Sequence, residues 1–117
     1  MKEYSALVLQ HFAAPQFVGE LPPAPNVLVT EVFAGGKKVK CFVAVADNCI
    51  IDFRYQVYGC PAMIACMSWM ASELIGKTVI EAQKMTAAEI TEILELPVHK
   101  QHCAVLAETV LKKIFIL

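Results

Sequence analysis

Apolar residues recur at helical spacing through residues 3–12, EYSALVLQHF, and the pattern stops before Pro15, which predicts a first helix. Residues 14–26 hold four of the six prolines and predict a loop. Three segments of strand character follow: VLVTEVF at 27–33, KKVKCFVAVA at 37–46 after Gly35 and Gly36, and CIIDFRYQVY at 49–58 after an Ala-Asp-Asn turn. From Pro61 the period becomes helical. PAMIACMSWMASELI opens with proline in its first turn and stops at Gly76. Thr78 with Glu81 and Thr86 with Glu89 match the capping box, predicting two short helices, the second ended by Pro97. Residues 99–115 predict a closing amphipathic helix. Strands first and helices after is an α+β pattern: a small three-stranded antiparallel sheet with helices packed on one face, one domain over residues 1–117.

Composition narrows the function. The chain is 57% apolar and 18% charged, enough for a real core. Ten basic residues balance eleven acidic ones and are scattered, so no nucleic-acid partner is expected. No window approaches the roughly 20 uninterrupted apolar residues of a membrane span, and residues 1–12 lack the features of a secretory signal. A cytoplasmic protein is expected.

Five cysteines in a reducing compartment read as thiols or ligands rather than a disulfide framework. Cys41 alternates with Lys38 and Lys40, which puts it on the apolar face of its strand. Cys49 shares parity with Ile51, Phe53, Tyr55 and Val57 and is expected in the core too. Cys66 shares a face with Met63 and Met70, a packing stripe. Cys60, between Gly59 and Pro61, is the expected N-cap of a helix, where unpaired amides and the helix dipole lower a thiol pKa below its free value of about 8.5; the competing reading is a small residue filling a tight turn. Cys103 heads the stripe Cys103, Leu106, Val110, Ile114, so it points toward the sheet and is able to face Cys60. His102 lies about 100° around that helix, on the rim of the same face. Two thiols and an imidazole at two loop-to-helix junctions suit zinc or iron.

The stretches YGCPAMIA, LELPVHKQHC and CAVLAE, with YSALVLQHFAAPQFVG and IGKTVIEA, resemble the NifU/IscU-type iron-sulfur cluster assembly scaffolds from about residue 4 to 114. The resemblance implies a three-stranded antiparallel sheet covered by helices. It also implies a transient 2Fe-2S cluster, built from iron and from persulfide sulfur delivered by a cysteine desulfurase and then passed to recipient apoproteins. By position, Cys60, His102 and Cys103 match cluster or zinc ligands. Where such scaffolds carry Cys-Gly-Asp before the second strand, this chain has Gly35 and Lys37 in the cysteine and aspartate places. Where the family's chaperone segment reads Leu-Pro-Pro-Val-Lys, this chain keeps Leu96, Pro97 and Lys100 and changes the middle to Val98 and His99, a departure that argues against chaperone-driven transfer.

Three protein ligands leave an open position, the arrangement of an exchange site. Lys37 disfavours a divalent ion while favouring thiolate. A fourth ligand has three candidate sources: His99, Cys66, or the Cys60 and Cys103 of a second chain in a homodimer. The expectation is a non-enzymatic iron-sulfur scaffold or carrier with an incomplete ligand set. The alternatives are a scaffold-derived protein that accepts sulfur or binds partners without assembling clusters, a zinc-stabilised fold, and an acyl-transfer enzyme with Cys60 as nucleophile and His102 as base, for which no local signature exists.

Overall fold

The computed structural model describes residues 4–116. Helix α1 (Ala6–Ala13) leads through the proline loop to strands β1 (Val27–Ala34), β2 (Lys37–Ala46) and β3 (Cys49–Tyr58). Helices α2 (Pro61–Leu74), α3 (Val79–Gln83) and α4 (Ala87–Leu94), a 3-10 turn (Val98–Lys100) and α5 (Gln101–Ile114) follow. The strands form an antiparallel meander in the order β1-β2-β3. Both hairpin turns have two residues at positive φ, Gly35 and Gly36 in the first, Asp47 and Asn48 in the second. Such turns match the right-handed twist of the strands they join. They also fix Lys37 as the first residue of β2, at the same end of the sheet as the last residue of β3.

One face of the sheet carries Val32, Val39, Cys41, Val43, Phe53 and Tyr55, all buried. Helices α2 and α5 cover it. Helix α2 is buried nearly all round, ten of its fourteen residues lying inside, because α1 packs against the side the sheet and α5 leave open. Ser68 is its buried polar residue. Its hydroxyl accepts the Gln16 amide at 2.8 Å and meets His11 Nδ1 at 2.7 Å, tying α1 and the proline loop to α2. Ser5 caps α1 by accepting from the Val8 amide, and donates to the Leu94 carbonyl at 2.7 Å.

The strand parity expected for Cys49 breaks. Below a β-bulge Ala44 pairs with Asp52, and above it Val45 pairs with Ile50, so Ile51 is skipped. Ile51 is 53% exposed, Ile50 takes its place in the core, and Cys49 is partly exposed rather than buried. Cys41 and Cys66 are fully buried, as their periodicity predicts. The last helix begins at Gln101 rather than His99, because residues 98–100 form a tighter 3-10 turn. Thr78 and Glu81 make the full capping box; Thr86 accepts from the Glu89 amide at 3.2 Å.

Glu108, on α5, holds the start of α4 by accepting the Ala87 amide at 2.6 Å, and it pairs with Lys112 at 2.8 Å. Lys112 first, then the Ala87 amide, hold its carboxyl below the ordinary range. A carboxyl depressed in the folded state contributes stability above its unfolded pKa and loses it as pH falls through the folded value. Glu108→Gln is therefore expected to cost about 1 kcal/mol near neutral pH, with the two urea midpoints converging in acid as the wild-type carboxylate protonates.

Candidate functional site

The β3–α2 junction and the start of α5 meet at the end of the sheet that carries the Gly35-Gly36 hairpin. Cys60 is the N-cap of α2 in extended conformation, and Pro61 begins the helix without needing a donor. Cys103 is the third residue of α5 and fully buried. Because both helices bury their apolar faces against the same sheet, the two sulfurs lie 3.7 Å apart. His102 Nε2 lies 3.7 Å from Cys103 Sγ, with the imidazole exposed beside the pair.

Two thiolates at about 2.3 Å on one tetrahedral ion are about 3.8 Å apart, and a thiolate and an imidazole nitrogen on one ion about 3.6 Å. The Cys60–Cys103 and Cys103–His102 separations match these two edges of a coordination tetrahedron. Among the described residues no three His, Cys, Asp or Glu side chains already surround one point as a closed cage. Cys103 is common to both contacts, and His102 is exposed beside it.

Charge around the pair is uneven. Burial by itself raises the Cys60 thiol, but the Met63 amide, the Cys103 thiol, Lys100 and Lys37 outweigh it and leave the pKa below its ordinary value. The Met63 amide bonds the Cys60 carbonyl at 3.0 Å while lying near the sulfur. Cys103 goes the other way: burial first, then the Cys60 charge, push it up to about 12. Cys60 is therefore the more acidic thiol of the pair and Cys103 the less acidic one. His102 is lowered by burial and then by Lys37 and Lys100, which keeps the imidazole in its neutral, ligating form near pH 7.

Lys37 is held here by packing. A Cβ on Gly59 would stand 3.1 Å from Lys37 Cγ, so the lysine stem lies across the glycine next to Cys60 and depends on the missing side chain. Lys100 is half-buried, its own pKa raised chiefly by the Cys60 charge. In the sequence Lys100 stands out only as part of the LPVHK segment; its place two residues before His102 is the one local signal of its role. His99, exposed on the 3-10 turn, offers its carbonyl to the His102 ring. Cys66 lies behind the pair on α2, and burial, followed by the Cys103 and Cys60 charges, raises its thiol strongly.

The chain matches the model of the NifU-like N terminal domain over residues 3–115. It is 38% identical over 112 residues to the iron-sulfur cluster assembly scaffold protein IscU 1 of Archaeoglobus fulgidus, covering 94% of this chain and 72% of that one. The IscU scaffold proteins of Haemophilus influenzae and Escherichia coli K12 are each 35% identical over 113 residues, covering 93% of this chain and 90% and 88% of theirs. Among solved structures, a candidate scaffold for the SUF system of Fervidobacterium islandicum superposes with a TM-score of 0.72 at 19% identity, over 97% of this chain and 96% of that one. The N-terminal part of a NifU-like protein of Brucella abortus gives 0.62 at 21% identity, over 93% and 78%. These likenesses agree with the fold and family expected from the sequence motifs. No helix among the described residues is long and apolar enough to cross a membrane.

Alkylation of the native, metal-free protein by iodoacetamide is expected to modify Cys60 well before Cys103, with a pH midpoint below the free thiol value of about 8.5. Lys37→Glu and Lys100→Ala should each move the midpoint upward; a midpoint unchanged in both would show that the lysines do not act on the sulfur. Peptide mapping by mass spectrometry reads both results.

Proposed function

The chain belongs to the NifU-like N-terminal domain family, and from that premise we propose that it is a scaffold or carrier on which iron and sulfide are held as a cluster by Cys60, Cys103 and His102. The observation that carries the reading is the 3.7 Å separation of the two sulfurs, the edge length of a thiolate-ligated tetrahedron. Ordinary contact between two sulfurs has a similar length, so what sets the pair apart is its setting: an imidazole nitrogen 3.7 Å from Cys103 and two lysines acting on Cys60.

Each residue has a stated task. Cys60 enters as thiolate and takes the first metal–sulfur bond. Cys103 loses its proton when the ion arrives, because a metal replaces the proton on sulfur. His102 closes the third position and, being exposed, is the ligand that releases first. Iron and sulfide are cargo here, built on the scaffold and handed on, so an open fourth position serves exchange. On this reading sulfur is delivered by a cysteine desulfurase and the finished cluster leaves to recipient apoproteins; the relatives at 35–38% identity, named as iron-sulfur cluster assembly scaffolds, support the scaffold role.

For the fourth ligand, burial disfavours Cys66, whose sulfur would need a shift of α2 to reach solvent. His99 is exposed on the turn next to His102, and Cys60 is partly exposed, so His99 or a second copy of the chain is the better source. Lys37 opposes a bare divalent ion by several kcal/mol, on the order of 8 at about 4 Å in a partly screened site. That penalty favours loading iron together with anionic sulfur over loading iron alone. Zinc, which takes the same donors, is the competing occupant.

Anaerobic reconstitution with ferrous iron and sulfide is expected to give visible charge-transfer absorption that Cys60→Ser and Cys103→Ser each abolish. Lys37→Asp is expected to raise iron affinity roughly tenfold or more, since it turns a repulsion into an attraction. A wild-type protein that stays colourless, or colour that survives both serine variants, would sink the proposal.

A further inference from the structure

We propose that Cys60 and Cys103 act as a dithiol that resolves a persulfide: a sulfane sulfur accepted on Cys60 is displaced by Cys103 as hydrosulfide, leaving a Cys60–Cys103 disulfide. The inference deepens the scaffold reading and rests on it only for the arrival of sulfur at Cys60.

The geometry divides the labour between the two thiols. Cys60 is partly exposed at the junction of β3 and α2, whereas Cys103 is fully buried, so an incoming donor reaches Cys60 alone. Cys103 Sγ stands 3.7 Å from Cys60 Sγ, within a side-chain rotation of the disulfide bond length of about 2.05 Å. The sulfur added to Cys60 points to the open side, away from the buried thiol. The atom that Cys103 meets is therefore the inner sulfur, and attack there expels the outer one. Lys37, its stem packed on the Gly59 that precedes Cys60, and Lys100, which also acts on Cys60, supply positive charge where the leaving anion forms. The third thiol of the neighbourhood, Cys66, is shut behind the pair and does not compete.

The steps balance. In the first, the Cys60 thiolate takes the terminal sulfur of a persulfide RSSH; the S–S bond of the donor breaks, a new one forms on Cys60, and RS⁻ leaves. In the second, the Cys103 sulfur bonds to Cys60 Sγ as the persulfide S–S bond breaks; the outer sulfur, still carrying its own proton, departs with that electron pair as hydrosulfide, and the Cys103 proton passes to solvent. The dithiol is oxidised by two electrons and the sulfane sulfur is reduced to sulfide. The co-reactant is a protein or low-molecular-weight persulfide, and an external dithiol returns the disulfide to its starting state. The product is sulfur in the oxidation state a cluster requires.

The test mixes reduced, iron-free protein, stripped of other thiols, with glutathione persulfide under anaerobic conditions. Wild type is expected to release about one hydrosulfide per chain, lose the mass of two hydrogens and show a Cys60–Cys103 crosslink on peptide mapping. Cys103→Ser and Cys103→Ala should instead retain one added sulfur atom on Cys60 and release no sulfide, the adduct itself reporting that Cys60 still reacts. Cys60→Ser, which keeps a good N-cap, should neither gain sulfur at Cys103 nor release sulfide. The proposal is overturned if wild type keeps the added sulfur without release, if the Cys103 variants release as much sulfide as wild type, or if sulfur never reaches Cys60. Since the assay contains no iron, failure to hold a cluster leaves its outcome untouched, and a cluster-binding protein is able to fail it.

Discussion

Everything at the functional end of this molecule depends on the burial of α2 and α5 against one face of a three-stranded sheet. Helix α2 lies on β3 and α5 on β1 and β2 of the same face, and α1 closes over the remaining side of α2. Close packing leaves little freedom to slide, so the first turn of each helix arrives at the same end of the sheet. The two thiols are brought to 3.7 Å by hydrophobic contact made elsewhere. Ser68 adds a polar tie within that core, holding the proline loop and α1 in place through His11 and Gln16.

A second constraint is electrostatic. The α2 N-terminus and two lysines act on Cys60, and burial acts on Cys103, so neighbouring groups of one chemical type differ in acidity and access. That difference leaves one sulfur partly open to solvent and the other closed behind it. A lysine at position 37 shifts the balance of the site from cation toward anionic sulfur. The short Gly35-Gly36 turn and the bare Gly59 place that lysine, the first pair through positive φ and Gly59 by leaving room for the lysine stem.

Much of this was legible in the chain. The strands, the proline-led helix, the Thr78 capping box and the inward face of Cys41, Cys66 and Cys103 follow from periodicity and end signals that act over a few residues. So does the suspicion of Cys60, since Gly-Cys-Pro before an apolar helical run puts sulfur on an N-cap. The bulge at Ala44 and Val45 left no such mark. It arises from how β2 and β3 pair, and it moves Ile51 outward and Cys49 partly out of the core. Lys100 escaped notice for a related reason, because its partner is 40 positions away in sequence and becomes a neighbour only after folding.

By itself the sequence determined the elements, the face each one buries and the types of donor available, because those are set by local backbone preference and by the alternation of apolar and polar side chains. Tertiary structure alone decided that Cys60 and Cys103 stand at ligand spacing, that one is open and the other closed, and that Lys37 lies over Gly59. These are distances between elements far apart in the chain, and only the simultaneous packing of both helices on one sheet sets them.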